Sequence, residues 1–201
     1  SSRETITTVV FDDSFANCNT IKSTAYWFFY LKALKEIKGL TNLKTDNVTD
    51  MWGMFSDCSS LESLDLSAFN TKNVTCMIQL FYRCSSLTSL DVSSFNTENV
   101  TSFQSMFWGC SKIETLDLSN FNTEKGTSFY NMFRECYALK SLNVSHFNTS
   151  NATEMTAMFG NCESLTNIDV SSFDTEKVKE IGFMFGECTS LTSLDLSSFH
   201  T

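Results

Sequence analysis

The chain has no proline and only seven glycines in 201 residues. Domains of this length normally rely on both for their turns, so here the turns must be built from other residues. Cations are scarce too: 14 Lys and Arg stand against 23 Asp and Glu, a net charge of −9. That balance works against gripping a phosphate backbone, which needs clustered Lys and Arg, and excludes nucleic acid as the expected partner. The longest fully apolar run is Ala25 to Leu31, far short of the ~20 residues that span a bilayer, so no membrane insertion is expected in this segment. Ser1 opens no basic-then-apolar secretory signal. The two histidines, His146 and His200, sit at turn positions in different repeats without a metal-spaced partner, and no Gly-rich phosphate loop occurs. No nucleophile, base and orienter can be assembled, so neither an enzyme nor a cofactor is expected.

What the chain has instead is phenylalanine, 19 residues of it, which demands a buried core and excludes intrinsic disorder. The phenylalanines are periodic. Phe55, Phe81, Phe107, Phe133, Phe159 and Phe185 recur every 26 residues, as do Cys58, Cys84, Cys110, Cys136, Cys162 and Cys188. Residues 46–201 are six such copies without insertion or deletion, the signature of one continuous solenoid. Residues 26–45 form a degenerate first repeat that aligns if one residue is shifted between Ile37 and Leu40. Residues 1–25 fit no copy; Thr7 to Phe11 alternate like a strand, and the stretch is expected to cap the first repeat, since an open solenoid end exposes core. The chain stops at Thr201, the last position of a repeat, without a matching cap, so truncation of a longer protein is expected at the C-terminus.

Each copy divides into two periodicities. Val74, Met77, Leu80, Phe81 and Cys84 are spaced by three and four, which predicts a short helix with Thr71 or Asn73 as its N-cap. Leu87, Leu90 and Val92 follow with the period-two signal of a strand around Asp91. Strands stack ~4.8 Å apart whereas helices are ~10 Å wide, so the helical side should fan out. The predicted fold class is α/β: a curved leucine-rich-repeat solenoid with a parallel sheet on its concave face and short helices on its convex face.

The pattern V-T-x-M-x-x-M-F-x-x-C-x-S-L-x-x-L-D-L-S-x-F-N-T, with the entry segment Ala25-Tyr26-Trp27-Phe28 through Gly39-Leu40 and Asn47 to Met51, resembles the BspA-like surface proteins of anaerobes, mycoplasmas and parasitic protists. The resemblance covers about residues 5–201. It implies a leucine-rich-repeat fold and a role in surface adhesion, outside the cell and within a longer surface-anchored protein.

Several columns read as scaffold. The six cysteines lack the bunched spacing of a zinc site and are expected to be buried free thiols. Cys18 and Cys76 lie outside that ladder; Cys76 is expected to be exposed, and a bridge between the two is an alternative to free thiols. The second Phe column (Phe69, Phe95, Phe121, Phe147, Phe173, Phe199) is expected to stack as a spine, and the Met51, Met77, Met155 column to be core. Six Asn-x-Thr/Ser triplets, beginning at Asn47, Asn73 and Asn99, arise from the repeat and would matter only in a eukaryotic secretory host.

Binding candidates fall on both faces. On the concave side Asp65, Asp91, Asp117, Asp169 and Asp195, with Asn143, should project outward, and neighbouring carboxylates should raise one another's pKa. They either accept hydrogen bonds from the following Ser column or, less in keeping with the pattern, bind calcium. With Glu62, Glu114 and Lys140 this face would favour a basic or polyhydroxylated ligand. On the convex or lateral side the columns vary between copies, and Trp52, Tyr82, Arg83, Trp108, Tyr130, Arg134, Tyr137 and Phe183 supply the residue types enriched in interface hot spots. These could equally pack on neighbouring helices. The expected function is therefore adhesion to a host or neighbouring-cell protein or glycoprotein; a passive stalk is the alternative, and ice binding by the Thr ladder fits less well because its threonines lie at a helix start.

Overall fold

In the computed structural model, residues 2–200 are described; Ser1 and Thr201, the last position of the sixth repeat, lie outside them. The chain winds as a leucine-rich-repeat solenoid whose turns stack in parallel. One bridge column runs from Ser23 through Asp50, Cys76, Ser102, Ser128 and Glu154 to Glu180. On the strand face, which carries the L-x-x-L-x-L columns, parallel bridges join Thr115 to Ser141 and Ser141 to Asn167. At the N-terminus β1 (Thr8–Val10) pairs in parallel with β2 (Glu36–Lys38), Thr8 opposite Glu36. Phe11, next along, is buried and donates its N–H to the Lys38 carbonyl at 2.8 Å. Gly39 makes that closure possible: it holds φ +64°, and a Cβ there would stand 2.1 Å from the Phe11 carbonyl oxygen.

Among the described residues the convex helices expected from sequence are absent. Among the described residues the helices are three short 3-10 turns, Ser2–Glu4, Asp13–Asn17 and Leu40–Asn42. The segment read as helical is a string of overlapping turns. Met54, Ser56 and Cys58 donate to the carbonyl three residues back, while Met51, Gly53, Phe55 and Asp57 donate to the carbonyls of Cys76, Ile78, Leu80 and Tyr82 in the next repeat. Every second amide is thus spent between repeats, which an α-helix cannot do because its N–H groups are consumed internally. Residues four apart hold positive φ in each copy, Gly53 with Asp57, Gln79 with Arg83, Ser105 with Gly109 and Asn131 with Glu135 among them. This turn face therefore stacks at strand-like spacing, and without helices there is no wide element to fan it outward.

Regular spacing also decides which phenylalanines stack. The first Phe column, from Phe28 through Phe55, Phe81, Phe107, Phe133 and Phe159 to Phe185, has neighbouring ring centroids 5.4–5.7 Å apart. The second column, expected to be the spine, packs beside it instead: Phe121 lies tilted at 36° and 6.4 Å from Phe107. Of the second column, Phe173 and Phe199 do stack on each other, at 6.5 Å. The Met51, Met77 and Met155 side chains are buried as expected.

The Thr column read as a helix cap is an inter-repeat clasp. Buried Thr97 donates its hydroxyl to the Asn122 carbonyl and accepts the Asn122 N–H, both at 2.8 Å. Thr71, Thr123, Thr149 and Thr175 repeat the arrangement. The side-chain amides of Asn73, Asn99 and Asn151 reach the other way, donating to the preceding repeat's Asp46, Lys72 and Glu124 carbonyls.

The ladder cysteines are buried free thiols, and the Sγ of Cys110 donates to the Phe81 carbonyl at 3.2 Å. Burial pushes the Cys58 and Cys110 thiols up to about 12. Cys76 is not exposed as expected but half-buried, because its column forms the longest bridge ladder; it and Cys18 are free thiols. Iodoacetamide at pH 8 should therefore label Cys18 and Cys76 in the native protein and spare the ladder, as read by peptide mass spectrometry. Urea should open all eight cysteines; native labelling of Cys110 would contradict the assignment.

Candidate functional site

On the strand face the aspartates point outward, as the pattern predicts. Each folds back on its own turn: Asp91 and Asp117 each accept the N–H of the serine two residues on, Ser93 and Ser119, at 2.9 Å. These hydrogen bonds hold the Asp65, Asp91, Asp117, Asp169 and Asp195 carboxyls below their ordinary value. The expected mutual elevation is thereby corrected: the push from Asp91 on Asp65 and Asp117 is outweighed by the serine donors. Asn143 makes the same bond to Ser145 at 3.1 Å, so the fold needs an acceptor here rather than a charge. Lys140 and Glu114 pair at 2.6 Å on this face, both exposed, where an ion pair adds little. A shallow hollow of about 310 Å³ lies between Asp91 and Asp117.

The lowered pKa values fix a direction. A carboxylate depressed in the folded state stabilises above its unfolded pKa of ~3.9 and loses that contribution as pH falls through the folded value. Asp57 runs the other way, since burial pushes its carboxyl up against the opposing pull of Arg83 and Lys32. The melting temperature should be flat from about pH 5 to 8, decline below about pH 4, and be unmoved by calcium or chelator. A calcium-dependent rise would contradict the hydrogen-bonding role of the column.

The turn face brings four of the eight candidates together. Tyr82, Trp108 and Arg134 leave the same turn position in successive repeats and contact one another in series outside the core. The Tyr82 and Trp108 rings meet edge to face at 5.1 Å. The Arg134 guanidinium lies 5.1 Å from the Trp108 ring, and Arg83 lies 5.1 Å from Tyr82 and 6.0 Å from Trp108. Gly109 permits this, because its φ is +75° and a Cβ there would press to 3.0 Å of the Arg83 stem. Cation–π contacts of this kind contribute about 0.5–2 kcal/mol each.

The other candidates lie apart. Trp52 packs against Tyr26 at 5.6 Å and donates its Nε1–H to Gln79 Oε1 at 3.4 Å. Tyr26 was missed because it belongs to the degenerate repeat. Tyr130 is half-buried. Tyr137 is exposed at the edge of a polar groove of about 380 Å³ shared with Lys32, Asp57, Arg83 and Glu135. Phe183, 83% exposed, lies in the last repeat and lines a hollow with Arg134. An apolar hollow of about 690 Å³, lined by Val178, Met184, Phe185, Leu196 and Phe199, occupies columns that the following repeat covers in earlier copies. Among the described residues no group of three or more His, Cys, Asp or Glu could hold a metal ion, and no helix is long and apolar enough to cross a membrane.

With this geometry in hand, the chain matches the profile of the family described as Mycoplasma protein of unknown function, DUF285, over residues 22–142 and 110–201. Among curated proteins none matches. Among solved structures it is similar to a leucine-rich repeat protein of T. pallidum, with 16% identity and a TM-score of 0.53 over 92% of this chain and 77% of that one. A leucine-rich repeat protein from Eubacterium ventriosum ATCC 27560 is similar at 20% identity and a TM-score of 0.53; the chain covers 45% of its length, and 96% of this chain is matched. At such identities the likeness establishes the fold alone.

Proposed function

We propose a role on one premise: the chain belongs to the DUF285 family, and its solenoid serves non-catalytic recognition as part of a longer, surface-anchored microbial protein. The partner is a protein or glycoprotein of a host or neighbouring cell, met by the turn face. The observation that carries this reading is the Tyr82–Trp108–Arg134 cluster with Arg83. The same column holds Ser56, Gly160 and Gly186 in other copies, so the repeat itself does not demand large side chains there. Aromatic and arginine residues that the scaffold does not require are the types that dominate interface hot spots. The resemblance to BspA-like surface proteins supports the location.

Two competitors make different predictions. The strand face, with its exposed aspartates and the hollow between Asp91 and Asp117, would take a basic partner and weaken steeply with salt. A passive stalk would take none. Immobilised chain incubated with extracellular-matrix extract separates these: recognition retrieves a salt-tolerant partner above the bare-resin control, whereas a stalk retrieves nothing.

A further inference from the structure

The column that carries Tyr82, Trp108 and Arg134 continues with Gly160 and Gly186. Two side chains are thereby missing from the turn face, and a trough of about 340 Å³ opens between Arg134 and Phe183. Its floor includes Ala157, Gly160 and Gly186. Neither glycine holds positive φ, so the backbone conformation does not demand them; what their lack of a side chain changes is the space above. A Cβ on Gly186 would already press to 3.4 Å of the Phe183 ring, and one on Gly160 to 3.3 Å of the Ala157 Cβ.

The two walls are of particular chemistry. The Arg134 guanidinium lies over the Trp108 ring at 5.1 Å, and its Nε is buried with no hydrogen-bond partner, Glu135 lying at 3.7 Å. The trough is also lined by Phe183, the most exposed of the large apolar side chains described. A guanidinium and an exposed ring lining one trough suit a second ring between them, because the guanidinium attracts the negative face of an aromatic and gains nothing comparable from an aliphatic group. Thr156, Asn161 and Glu187 add polar groups to the lining, within which a tyrosine hydroxyl or tryptophan N–H can be satisfied.

We propose that this trough receives a tyrosine or tryptophan side chain of the protein partner, held between Arg134 and Phe183, so that the surface row of Tyr82, Trp108 and Arg134 is continued by the partner. This rests on the turn-face reading, but its test does not need the partner. The whole chain is titrated with N-acetyl-tyrosinamide and, separately, N-acetyl-leucinamide, and followed by NMR at the Arg134 Nε–H and the Gly160 and Gly186 amides. The tyrosine amide is expected to give saturable shifts about tenfold tighter than the leucine amide, weakened about tenfold by Arg134→Ala. Gly160→Leu should abolish them, and Phe183→Ser, at a position exposed enough to fold regardless, should weaken them. Equal binding of the two probes, or shifts that survive both Arg134→Ala and Phe183→Ser, would overturn the proposal. Absence of ring binding, with partner retrieval still dependent on Tyr82 and Trp108, overturns this inference alone. Ring binding without any retrieved partner upholds the trough and removes the turn-face reading.

Discussion

Phe107→Ala is expected to destabilise the solenoid by about 3–5 kcal/mol, the usual range for emptying a phenylalanine site in a core. The ring is wholly buried and stacks on Phe81 at 5.7 Å and Phe133 at 5.6 Å. It sits mid-column, where repeats on both sides hold the backbone at a spacing fixed by the Phe81 and Phe107 N–H bonds to the Met106 and Met132 carbonyls. The cavity therefore cannot collapse without breaking the ladder. Solenoids couple nearest neighbours, so the loss should split the melt into two transitions rather than merely lower one. Calorimetry reads this directly: two resolved transitions are expected, and a single transition shifted by less than about 2 °C would show that the column is not the spine.

Thr97→Val should be the next most damaging of the substitutions considered. It keeps the shape and removes a hydroxyl that both donates to and accepts from Asn122 at 2.8 Å. One N–H and one carbonyl are left unpaired at the joint between repeats, at about 1–3 kcal/mol for each group that water cannot reach. The Asn122 side chain is exposed, so some rescue by water places the expected total near 2 kcal/mol. Thr97→Ser, which keeps the hydroxyl, should retain most of the stability. Equal loss in the serine and valine variants, measured by urea titration, would mean that the methyl group rather than the clasp matters.

The 26-residue register told most of the fold in advance, because identical spacing in six copies leaves a stacked solenoid as the way to bury every Phe55-type and Cys58-type side chain at once. What it could not tell was the local conformation of the turn face. Spacings of three and four are shared by a helix and by a string of three-residue turns, and both bury Val74, Met77, Leu80 and Cys84. The discriminating signal was present but faint: Gly53 with Asp57, and Gly109, Asn131 and Asn161, are types that tolerate positive φ. The Thr97 clasp was illegible because its partner lies 25 residues away, and no motif records an inter-repeat bond. Likewise, the direction of the aspartate pKa values depended on the Ser93-type donors, which the sequence placed correctly, outweighing a repulsion that the spacing overstated.

The candidate site was legible as a column and illegible as a contact. Tyr82, Trp108 and Arg134 could be grouped by register, but only the turn geometry shows that rings and guanidinium meet, that Trp52 belongs with Tyr26, and that Tyr137 borders a polar groove shared with Arg83. The two glycines that follow in that column read as mere variation until Phe183 appeared across the gap from Arg134.

The measurement that tests the recognition role most directly compares two folded variants against the partner retrieved by the wild-type chain. One carries Tyr82→Ala, Trp108→Ala and Arg134→Ala on the turn face; the other carries Asp91→Asn and Asp117→Asn, changes that Asn143 shows the strand face tolerates. Both are first checked for native melting. The turn-face account predicts that the first loses at least about tenfold in affinity by surface plasmon resonance while the second binds as wild type. Loss confined to the aspartate variant would contradict it and place recognition on the strand face.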